Sequence, residues 1–363
     1  MIKNFILIYP SFERGGVRKN FLSFIQVLKN KKYKLEIISD QKISNEVKKT
    51  KNISINVINR LKIKIFYKYF TSLFAAFKIF SIPNINRINL RVISFQSSLF
   101  TSIICKILGY KLIVRTSEDP IGATKYSDNY FLSLFVLLSK LLTYNLSYKI
   151  LVNSRKMKVS VKKFVFNKSK VILQYNMNLE KINTSKNLIK RNYFLNIGRF
   201  CKQKNQENII KAFSLFTKKK DNKNYKLILC GDGPDKKKLK NLVKKLQLNN
   251  YIKFKNWQKN TASLYSESKF FILPSLYEGL PNVLIDALNY NLVCICTDVS
   301  GVQDICGNNF LKVNNNSSYE LSNKMNLAVK NYKKYLYSDK KKKERLTKFL
   351  KSNLYHKLIS NLK

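Results

Sequence analysis

Acidic residues are scarce in this chain of 363 residues: 20 Asp and Glu stand against 69 Lys and Arg, a formal net charge of +49. Glycine and proline are also few, at 10 and 6, which excludes collagen-like chains and Gly/Pro-rich disordered chains. Hydrophobic residues make up 45% of the chain, which is enough for an ordinary packed core. The length then predicts two domains.

Metal-binding residues are few as well. His356 is the single histidine, and the six cysteines include no C-x-x-C pair, so a zinc site is not expected. Four cysteines lie inside apolar runs, where buried free thiols are expected: Cys105, Cys230, Cys294 and Cys296. This cysteine usage predicts a reduced, cytoplasmic protein.

Long apolar runs are missing too. The N-terminal run Phe5–Tyr9 is too short for a signal peptide and predicts a buried first strand. Tyr130–Leu146 comes nearest to a membrane span, but it carries Lys140, so a core helix is predicted there. No integral membrane span is predicted.

The excess of positive charge has two explanations. Asn, Lys, Ile, Phe and Tyr are abundant, as in AT-rich coding sequences, but that bias would raise Glu together with Lys, and Glu is scarce. The excess therefore favours an anionic partner, such as a membrane surface, a polyanionic ligand or nucleic acid. Nucleic acid is not expected, because no zinc finger, RNA-recognition signature or helix-turn-helix is found. Ile63–Ile82 mixes lysines with aromatic residues, which is typical of a membrane-surface helix or of a core helix with a solvated face.

Short β-branched runs alternate with helical patterns, which predicts an α/β chain with parallel sheets in two consecutive Rossmann-like domains. The expected strands are Ile2–Tyr9, Lys34–Ser39, Val92–Gln96, Lys111–Thr116, Tyr148–Asn153, Tyr193–Ile197, Lys226–Cys230, Ile252–Phe254, Phe270–Leu273 and Leu292–Thr297. The clearest expected helices are Val17–Leu28, Glu207–Thr217, Pro234–Leu246 and Pro281–Asn289. We expect domains at 1–180 and 190–342 around a polar linker at Met177–Asn192, and a C-terminal helix at 343–363 that returns to the N-terminal domain.

Three glycine-containing loops follow predicted strands. Gly15 and Gly16 precede the first helix, and they favour either a tight turn or the close approach of an anion. They do not form G-x-G-x-x-G, so a nicotinamide dinucleotide site is not predicted. In the second domain, Gly198 is followed by Arg199 and Lys204, two cations placed to bind phosphate outside the strand's carboxyl end. The third loop, with Gly231 and Gly233, is either a tight turn or a place where a nucleotide approaches closely.

The most specific loop contains two carboxylates, Glu278 and Asp286, around the start of a helix. The loop and the helix start are formed by Gly279, Leu280, Pro281 and Asn282. Free backbone N–H groups and the helix dipole favour an anion there, whereas the carboxylates suit hydroxyl groups. A phosphate flanked by polyhydroxylated groups describes a nucleotide sugar.

The spacing of Glu278 and Asp286 resembles the E-x7-E signature of retaining glycosyltransferases of family 4, which have the GT-B fold. Arg199 and Lys204 match the family's phosphate-binding pair, and Gly15-Gly16 matches its N-terminal glycine loop. Gly231–Pro234 resembles its G-x-G-P turn, and Ser300–Asp304 resembles its G-G-x-x-E turn. The resemblance covers nearly the whole chain and is strongest between residues 193 and 306. It implies two Rossmann-like domains with parallel sheets that face each other across a cleft.

The chain departs from the family pattern in its carboxylates and in its histidine. The second Glu of E-x7-E is Asp286, the later Glu is Asp304, and the preceding Gly is Ser300. The histidine that many members carry in the N-terminal domain is missing. Arg115 and Glu118, in the corresponding loop, are the candidates to replace it on the acceptor side.

The resemblance implies a role for each matched residue. Arg199, Lys204 and Glu278 would be catalytic, since the cations stabilise the departing diphosphate and Glu278 holds donor-sugar hydroxyls. Asp286 would bind the ribose, and Trp257 would border the base. The remaining donor-binding residues would be Gly16, Gly198, Gly231, Gly233, Gly279, Leu280, Pro281 and Asn282. No D-x-D motif is present, so no metal is expected, and no cofactor is expected because the nucleotide sugar is a substrate.

The implied activity is transfer of a sugar, with retention, from a UDP-sugar to a glycan or polyprenyl-linked acceptor. The implied pathway is cell-surface polysaccharide synthesis (lipopolysaccharide, O-antigen or capsule). The protein would be cytoplasmic and peripheral on the inner face of the membrane, at an anionic surface. The alternative is a degenerate, non-catalytic nucleotide-sugar-binding protein of the same fold. A nucleotide-sugar epimerase is less favoured.

Overall fold

The chain forms two compact units in a computed structural model that describes residues 4–10, 15–58, 67–80, 89–96, 98–127, 129–184, 190–314 and 317–362. The first unit combines Met1–Met177 with Lys351–Lys363, and the second is Asn178–Leu350. Each unit is a Rossmann-like α/β layer structure built on a single all-parallel sheet, as predicted.

The first unit has a seven-stranded sheet in the order β3-β2-β1-β4-β5-β6-β7. Its strands are β1 (Asn4–Tyr9), β2 (Lys34–Asp40), β3 (Ile53–Ile58), β4 (Leu90–Ser94), β5 (Lys111–Arg115), β6 (Lys149–Val152) and β7 (Val171–Leu173). Its helices are α1 (Gly16–Asn30), α2 (Tyr67–Phe77), α3 (Leu99–Ile107), α4 (Pro120–Lys125), α5 (Tyr130–Leu146) and α6 (Arg155–Lys162). The central strand β1 is buried almost throughout, as expected for a parallel strand covered on both faces.

The second unit has a six-stranded sheet in the order β10-β9-β8-β11-β12-β13. Its strands are β8 (Arg191–Ile197), β9 (Lys226–Cys230), β10 (Ile252–Lys255), β11 (Ser268–Leu273), β12 (Val293–Thr297) and β13 (Leu311–Val313). Its helices are α7 (Gln206–Thr217), α8 (Lys236–Lys245), α9 (Ala262–Glu267), α10 (Asn282–Asn289), α11 (Val302–Cys306), α12 (Ser318–Lys330) and α13 (Asp339–Leu346). The strand order reverses between β8 and β11, which is where such sheets bind ligands, at the strands' carboxyl ends.

The C-terminal helix predicted over Lys343–Leu362 is two helices. Helix α13 ends at Leu346, a short 3₁₀ turn follows, and α14 (Lys351–Leu362) begins a new helix. Helix α14 belongs to the first unit. There Asn361 donates to the Gln174 side chain at 2.7 Å, and the Tyr355 hydroxyl donates to the Val27 carbonyl at 3.2 Å.

From Asn178 onward, the stretch predicted as a linker, Met177–Asn192, belongs to the second unit. The Asn183 N–H donates to the Asn289 side chain at 2.8 Å, and the Lys342 ammonium donates to the Asn183 carbonyl at 2.8 Å. Strand β8 already begins at Arg191. The boundary between the units therefore lies between Met177 and Asn178.

Helix α5 corrects one sequence prediction. Tyr130–Leu146 forms the predicted helix, but it is not a core helix, because Phe131 is 83% exposed and Leu138 is 56% exposed. Within the described residues, no helix is long and apolar enough to cross a membrane. The segment Ile63–Ile82 lies partly outside the described residues. Its described part contains helix α2, which exposes Phe74 and Phe77.

The predicted burial of four cysteine thiols is confirmed. Cys105, Cys230, Cys294 and Cys296 are all free and buried. Burial raises the pKa of Cys105 to about 12, because an apolar environment disfavours the thiolate. These side chains therefore act as small core residues.

Candidate functional site

The loops after strands β8 and β9 are hydrogen-bonded to each other. The Gly198 N–H donates to the Cys230 carbonyl at 3.0 Å, and the Phe200 N–H donates to the Asp232 carbonyl at 2.9 Å. These bonds fix the backbone on both sides of Arg199. The position of Arg199 is thus set by the second loop as well as by its own strand.

Gly231 and Gly233 make this contact between loops sterically feasible. Both have positive φ angles, +157° and +158°. A Cβ at position 231 would overlap the Gly198 carbonyl oxygen, and one at 233 would overlap the Phe200 backbone. The predicted tight turn is therefore present, and the neighbouring protein loop is by itself sufficient to require glycine at both positions.

Lys204 is positioned by a short turn that is bonded to the E-x7-E loop. The Leu276 N–H donates to the Gln203 carbonyl at 2.8 Å, and the Gln203 side-chain amide donates to the Tyr277 carbonyl at 3.0 Å. Asn205 ends the turn with φ +54°, a left-handed conformation that Asn adopts more readily than most residues. The turn and the loop therefore hold each other in place across 74 positions of sequence.

Lys204 and Glu278 form an ion pair at the centre of this site. Glu278 is buried, and the aliphatic stem of Lys204 passes within 3.6 Å of the place where a Gly198 side chain would begin. Arg199 is exposed, and among the described residues its guanidinium has no ion-pair partner. The structure thus brings together a partly buried cation–carboxylate pair and an exposed cation at the carboxyl end of β8. Such a set can bind an anion and a hydroxyl group side by side.

The turn at Ser300-Gly301 supports the Glu278 loop. Gly301 has φ +84°, and a Cβ there would lie 2.7 Å from the Gly279 carbonyl oxygen and 2.8 Å from the Cα of Leu280. Glycine is therefore needed here both for conformation and for space. The turn that resembles G-G-x-x-E thus packs directly against the loop that carries Glu278.

Helix α10 begins at Asn282, with Pro281 as its N-cap residue, and carries Asp286 on its second turn. The Asn178 side-chain amide donates to the Asp286 carboxylate at 2.8 Å. Burial, and next the charge of Asp286, raise the pKa of the Tyr265 hydroxyl, which donates to the Val283 carbonyl at 3.1 Å. Asp286 is therefore held in a fixed orientation.

Asn178 is a site residue that sequence reasoning missed. It is buried, and the Oδ1 of its side-chain amide has no hydrogen-bond partner among the described residues. It lies in the polar stretch predicted as a linker, where no periodic pattern marks a single position. Asn178 could have been identified from the sequence only if this stretch had been known to pack on α10.

Trp257 lies in the loop after β10 and is 48% exposed. The adjacent Asn256 accepts a hydrogen bond from the Lys236 ammonium at 2.9 Å, and its carbonyl accepts one from the Cys230 thiol at 3.5 Å. The Trp257 ring therefore sits on a loop that is tied to the β9 loop, where a flat ligand can stack on it.

The residues predicted on the acceptor side, Gly15, Arg115 and Glu118, and the predicted donor-binding residue Gly16 all belong to the first unit, and they differ in exposure. Gly15 and Gly16 are exposed at the start of α1, and Glu118 is exposed. Arg115 is not available to an acceptor as predicted, because its guanidinium is buried. It donates to the Gln174 carbonyl at 2.7 Å and to the Asn176 side chain at 2.6 Å.

Burial lowers the pKa of Arg115 to about 9, as expected for a cation without a carboxylate beside it. Its contacts join the end of β5 to the chain beyond β7, which is a structural role. Within the described residues, no three His, Cys, Asp or Glu side chains come together in a way that could hold a metal ion.

The chain is similar to known proteins in sequence and in fold. Residues 180–345 match the family model described as glycosyl transferases group 1. An uncharacterised glycosyltransferase of Methanocaldococcus jannaschii is 34% identical over 227 residues, which are 61% of this chain and 50% of the relative. A Campylobacter jejuni enzyme is 29% identical over 215 residues, 57% of each chain. Its name describes it as a 4-α-N-acetylgalactosaminyltransferase acting on a diphospho-undecaprenol-linked sugar. The matches thus span only about half the length of these relatives.

The fold of the whole chain is also found in solved structures. The crystal structure of Anabaena HepE in complex with UDP-glucose aligns with a TM-score of 0.77 at 14% sequence identity, and the match covers 99% of both chains. At this identity the likeness concerns the fold. The chain therefore has the GT-B fold, and its residues 180–345 are similar to the glycosyl transferases of group 1.

Proposed function

We propose that the protein is a retaining glycosyltransferase of family 4 that transfers a sugar from a UDP-sugar donor. The observation that carries the proposal is the Lys204–Glu278 pair beside the exposed Arg199, at the carboxyl end of β8. Phosphate recognition requires cations, and sugar recognition requires a carboxylate close by. This site offers both within one hydrogen-bonded set of loops.

In the proposed reaction, the bond between the donor sugar and the diphosphate breaks and negative charge develops on the leaving group. Arg199, Lys204 and the N-terminus of α10 stabilise that charge. Lys204 contacts Glu278 in the structure, so diphosphate binding places the ammonium between two anionic groups. The cations supply the charge that a metal ion provides in other transferases, and no metal or cofactor is needed.

Each part of the donor is proposed to contact a different residue of the site. Glu278 accepts hydrogen bonds from the donor-sugar hydroxyls, Asp286 accepts them from the ribose, and Trp257 borders the base. Retention follows if the leaving phosphate removes the proton of the acceptor hydroxyl on the same face of the sugar. No enzyme nucleophile is assigned.

The acceptor is proposed to be a glycan or a polyprenyl-linked saccharide in cell-surface polysaccharide synthesis. The named substrate of the Campylobacter relative, a diphospho-undecaprenol-linked sugar, supports this class. A lipid-linked acceptor places the reaction at a membrane. The charge of +49 supports an anionic inner-leaflet surface as partner and a peripheral, cytoplasmic location.

A thermal-shift screen with UDP-, GDP- and ADP-sugars, followed by a nucleotide-release assay, tests the proposal. A UDP-sugar at about 100 times its dissociation constant is expected to stabilise the protein by about 2.7 kcal/mol. Addition of a polyprenyl-linked acceptor should then lead to release of UDP from the donor. The new glycosidic bond should have the same anomeric configuration as the donor sugar. Binding without turnover would favour the non-catalytic alternative, and binding of no nucleotide sugar would contradict both.

Asp286→Asn is expected to weaken donor binding by about 1.5–3 kcal/mol, the range for hydrogen bonds to a charged group. Asp286→Glu should not improve binding, because the shorter carboxylate is already oriented by Asn178. Donor affinity measured by calorimetry checks both variants. Asp221→Asn, the same change at an exposed position of the second unit, is the matched control. If the Asp286→Asn variant binds the donor as tightly as the wild type does, Asp286 does not bind the ribose hydroxyls.

A further inference from the structure

Helix α5 exposes a continuous apolar stripe. We define the α5 stripe as Phe131, Leu134, Phe135, Leu138, Leu141 and Leu142, all of which are exposed. They are spaced by three or four residues, so they lie on one face of the helix. From Phe131 to Leu142 the stripe is about 16 Å long at 1.5 Å per residue. A stripe of this size is much more than the scattered apolar residues of an ordinary protein surface.

The fully buried positions on the opposite face of α5 carry hydroxyl groups. Ser133, Thr143 and Tyr144 are each at most 6% exposed, and the Tyr144 hydroxyl lies 3.1 Å from the Thr116 hydroxyl. The helix is therefore inverted relative to one that faces water, in which apolar residues face the core. This inversion indicates that the outer face meets an apolar medium.

Phe166 extends the stripe at its C-terminal end. It is 90% exposed, and its backbone N–H donates to the Asn145 side chain at 3.0 Å, which ties its loop to the last turn of α5. Asn145 also donates to the Phe164 carbonyl at 2.9 Å. The apolar surface therefore consists of the helix and an attached loop tip.

Most of the charges around this surface are positive, although Glu118 is exposed just before α4 and acts on Lys140 of α5. Lys163 and Lys168 are exposed on either side of Phe166, and Lys106 and Lys125 are exposed at the ends of α3 and α4. Helices α3 and α4 both pack against α5. The sequences of α2 to α6 contain no acidic residue at all. Apolar side chains framed by lysines match the interface of an anionic bilayer, where acyl chains lie beneath negative headgroups.

We propose that the α5 stripe and Phe166 form the surface that docks on an anionic membrane, with α5 lying in the plane of the interface. A second copy of the chain is a poorer occupant, because pairing two such faces would oppose the same lysines in a chain of net charge +49. A span is a poorer fit too, because 17 residues extend only about 26 Å against a hydrocarbon core of about 30 Å. This proposal rests on the anionic membrane partner named in the proposed function. It does not depend on the donor site.

Vesicle sedimentation tests the surface, with phosphatidylcholine vesicles that contain or lack phosphatidylglycerol. Wild type should bind the anionic vesicles and leave them at about 0.5 M NaCl, where charges are screened. The triple variant Phe131→Ser, Leu138→Ser, Phe166→Ser should bind at least about 100-fold more weakly with an unchanged thermal unfolding curve. Tyr319→Ser, at an aromatic residue that is 71% exposed in the second unit, is the matched control and should bind as wild type does.

A charge-matched pair of variants gives a second, independent measurement. Lys163→Gln with Lys168→Gln should weaken binding about 30-fold, at about 1 kcal/mol for each lysine near the surface. Lys237→Gln with Lys240→Gln removes the same net charge from exposed positions on α8 and should change binding by less than about 3-fold.

Three outcomes of the variant experiments would contradict the proposed membrane surface. The first is triple-variant binding equal to wild type. The second is an equal loss of binding in both lysine pairs. The third is a wild-type dimer, seen by sedimentation velocity without vesicles, that the triple variant dissociates. If wild type binds UDP-sugar but no vesicle, the membrane partner is wrong and the donor site stands.

Discussion

Lys204→Met is expected to lower turnover of the nucleotide-sugar donor at least about 100-fold, equivalent to about 2.7 kcal/mol of transition-state stabilisation. Methionine keeps an unbranched apolar stem that can pack on Gly198, as the lysine stem does, but it removes the ammonium that we propose to face the diphosphate. Arg199→Ala should produce a loss of similar size. Steady-state kinetics with saturating donor and acceptor measures both.

Lys202→Met is the matched control, because it removes an exposed cation from the same short turn. Its turnover should stay within about 3-fold of wild type, as expected for a surface charge away from the ligand. Lys204→Met also leaves Glu278 buried without its ion-pair partner, so its stability has to be measured. Adding Glu278→Gln should restore the lost stability without restoring turnover. Wild-type turnover in Lys204→Met and Arg199→Ala would refute the phosphate assignment.

Gly231→Ala is expected to destabilise the second unit by roughly 3 kcal/mol, since it adds overpacking to an unfavourable backbone conformation. The new Cβ would overlap the Gly198 carbonyl oxygen, so the loop that carries Arg199 has to move. The melting temperature should fall by about 6–12 °C, and donor affinity should fall with it. Calorimetric unfolding with and without donor measures both effects.

Gly15→Ala separates the two contributions. Gly15 has a similar φ of +149°, but nothing lies within 4 Å of the place where its Cβ would be. Its cost should therefore be that of the backbone conformation alone, about 1–2 kcal/mol. If the two variants lose the same stability, the clash at Gly231 is relieved at no cost and the loop contact is not tight.

The candidate site could be predicted from the sequence only where a motif stays within one loop. The cations after β8 and the carboxylates around α10 were found because each follows a recognisable strand. The contact between Lys204 and Glu278 joins positions 74 residues apart. The hydrogen bonds of Gln203 that position Lys204 correspond to no local pattern in the sequence. Asn178 was missed for the same reason, since its partner Asp286 lies 108 residues away.

The strands that the sequence did not reveal are three of the four edge strands. Strands β3, β7 and β13 each lie at an end of their sheet. An edge strand is short or half-solvated, and β3 and β13 alternate buried with exposed residues. The continuous apolar run that marks a central parallel strand is therefore absent. The fourth edge strand, β10, was found between clear turn signals.

Helix α5 shows a different limit of sequence reasoning. The sequence predicts the helix correctly. An apolar stripe, however, has the same sequence pattern whether it faces a protein core or a membrane. Only the structure shows which face of α5 points outward, because Phe131 is exposed and Thr143 is buried.

The last helix has a consequence for how the protein is made. The first unit begins to emerge from the ribosome early, yet Leu354, Leu358 and Leu362 of α14 are buried and belong to that unit. During synthesis the first unit therefore waits, with part of its apolar surface uncovered, while the whole second unit is translated and free to fold. A nascent chain of this design depends on protection from aggregation until α14 has been translated. A chain that stops between the second unit and α14 therefore carries its defect in the unit that was translated first.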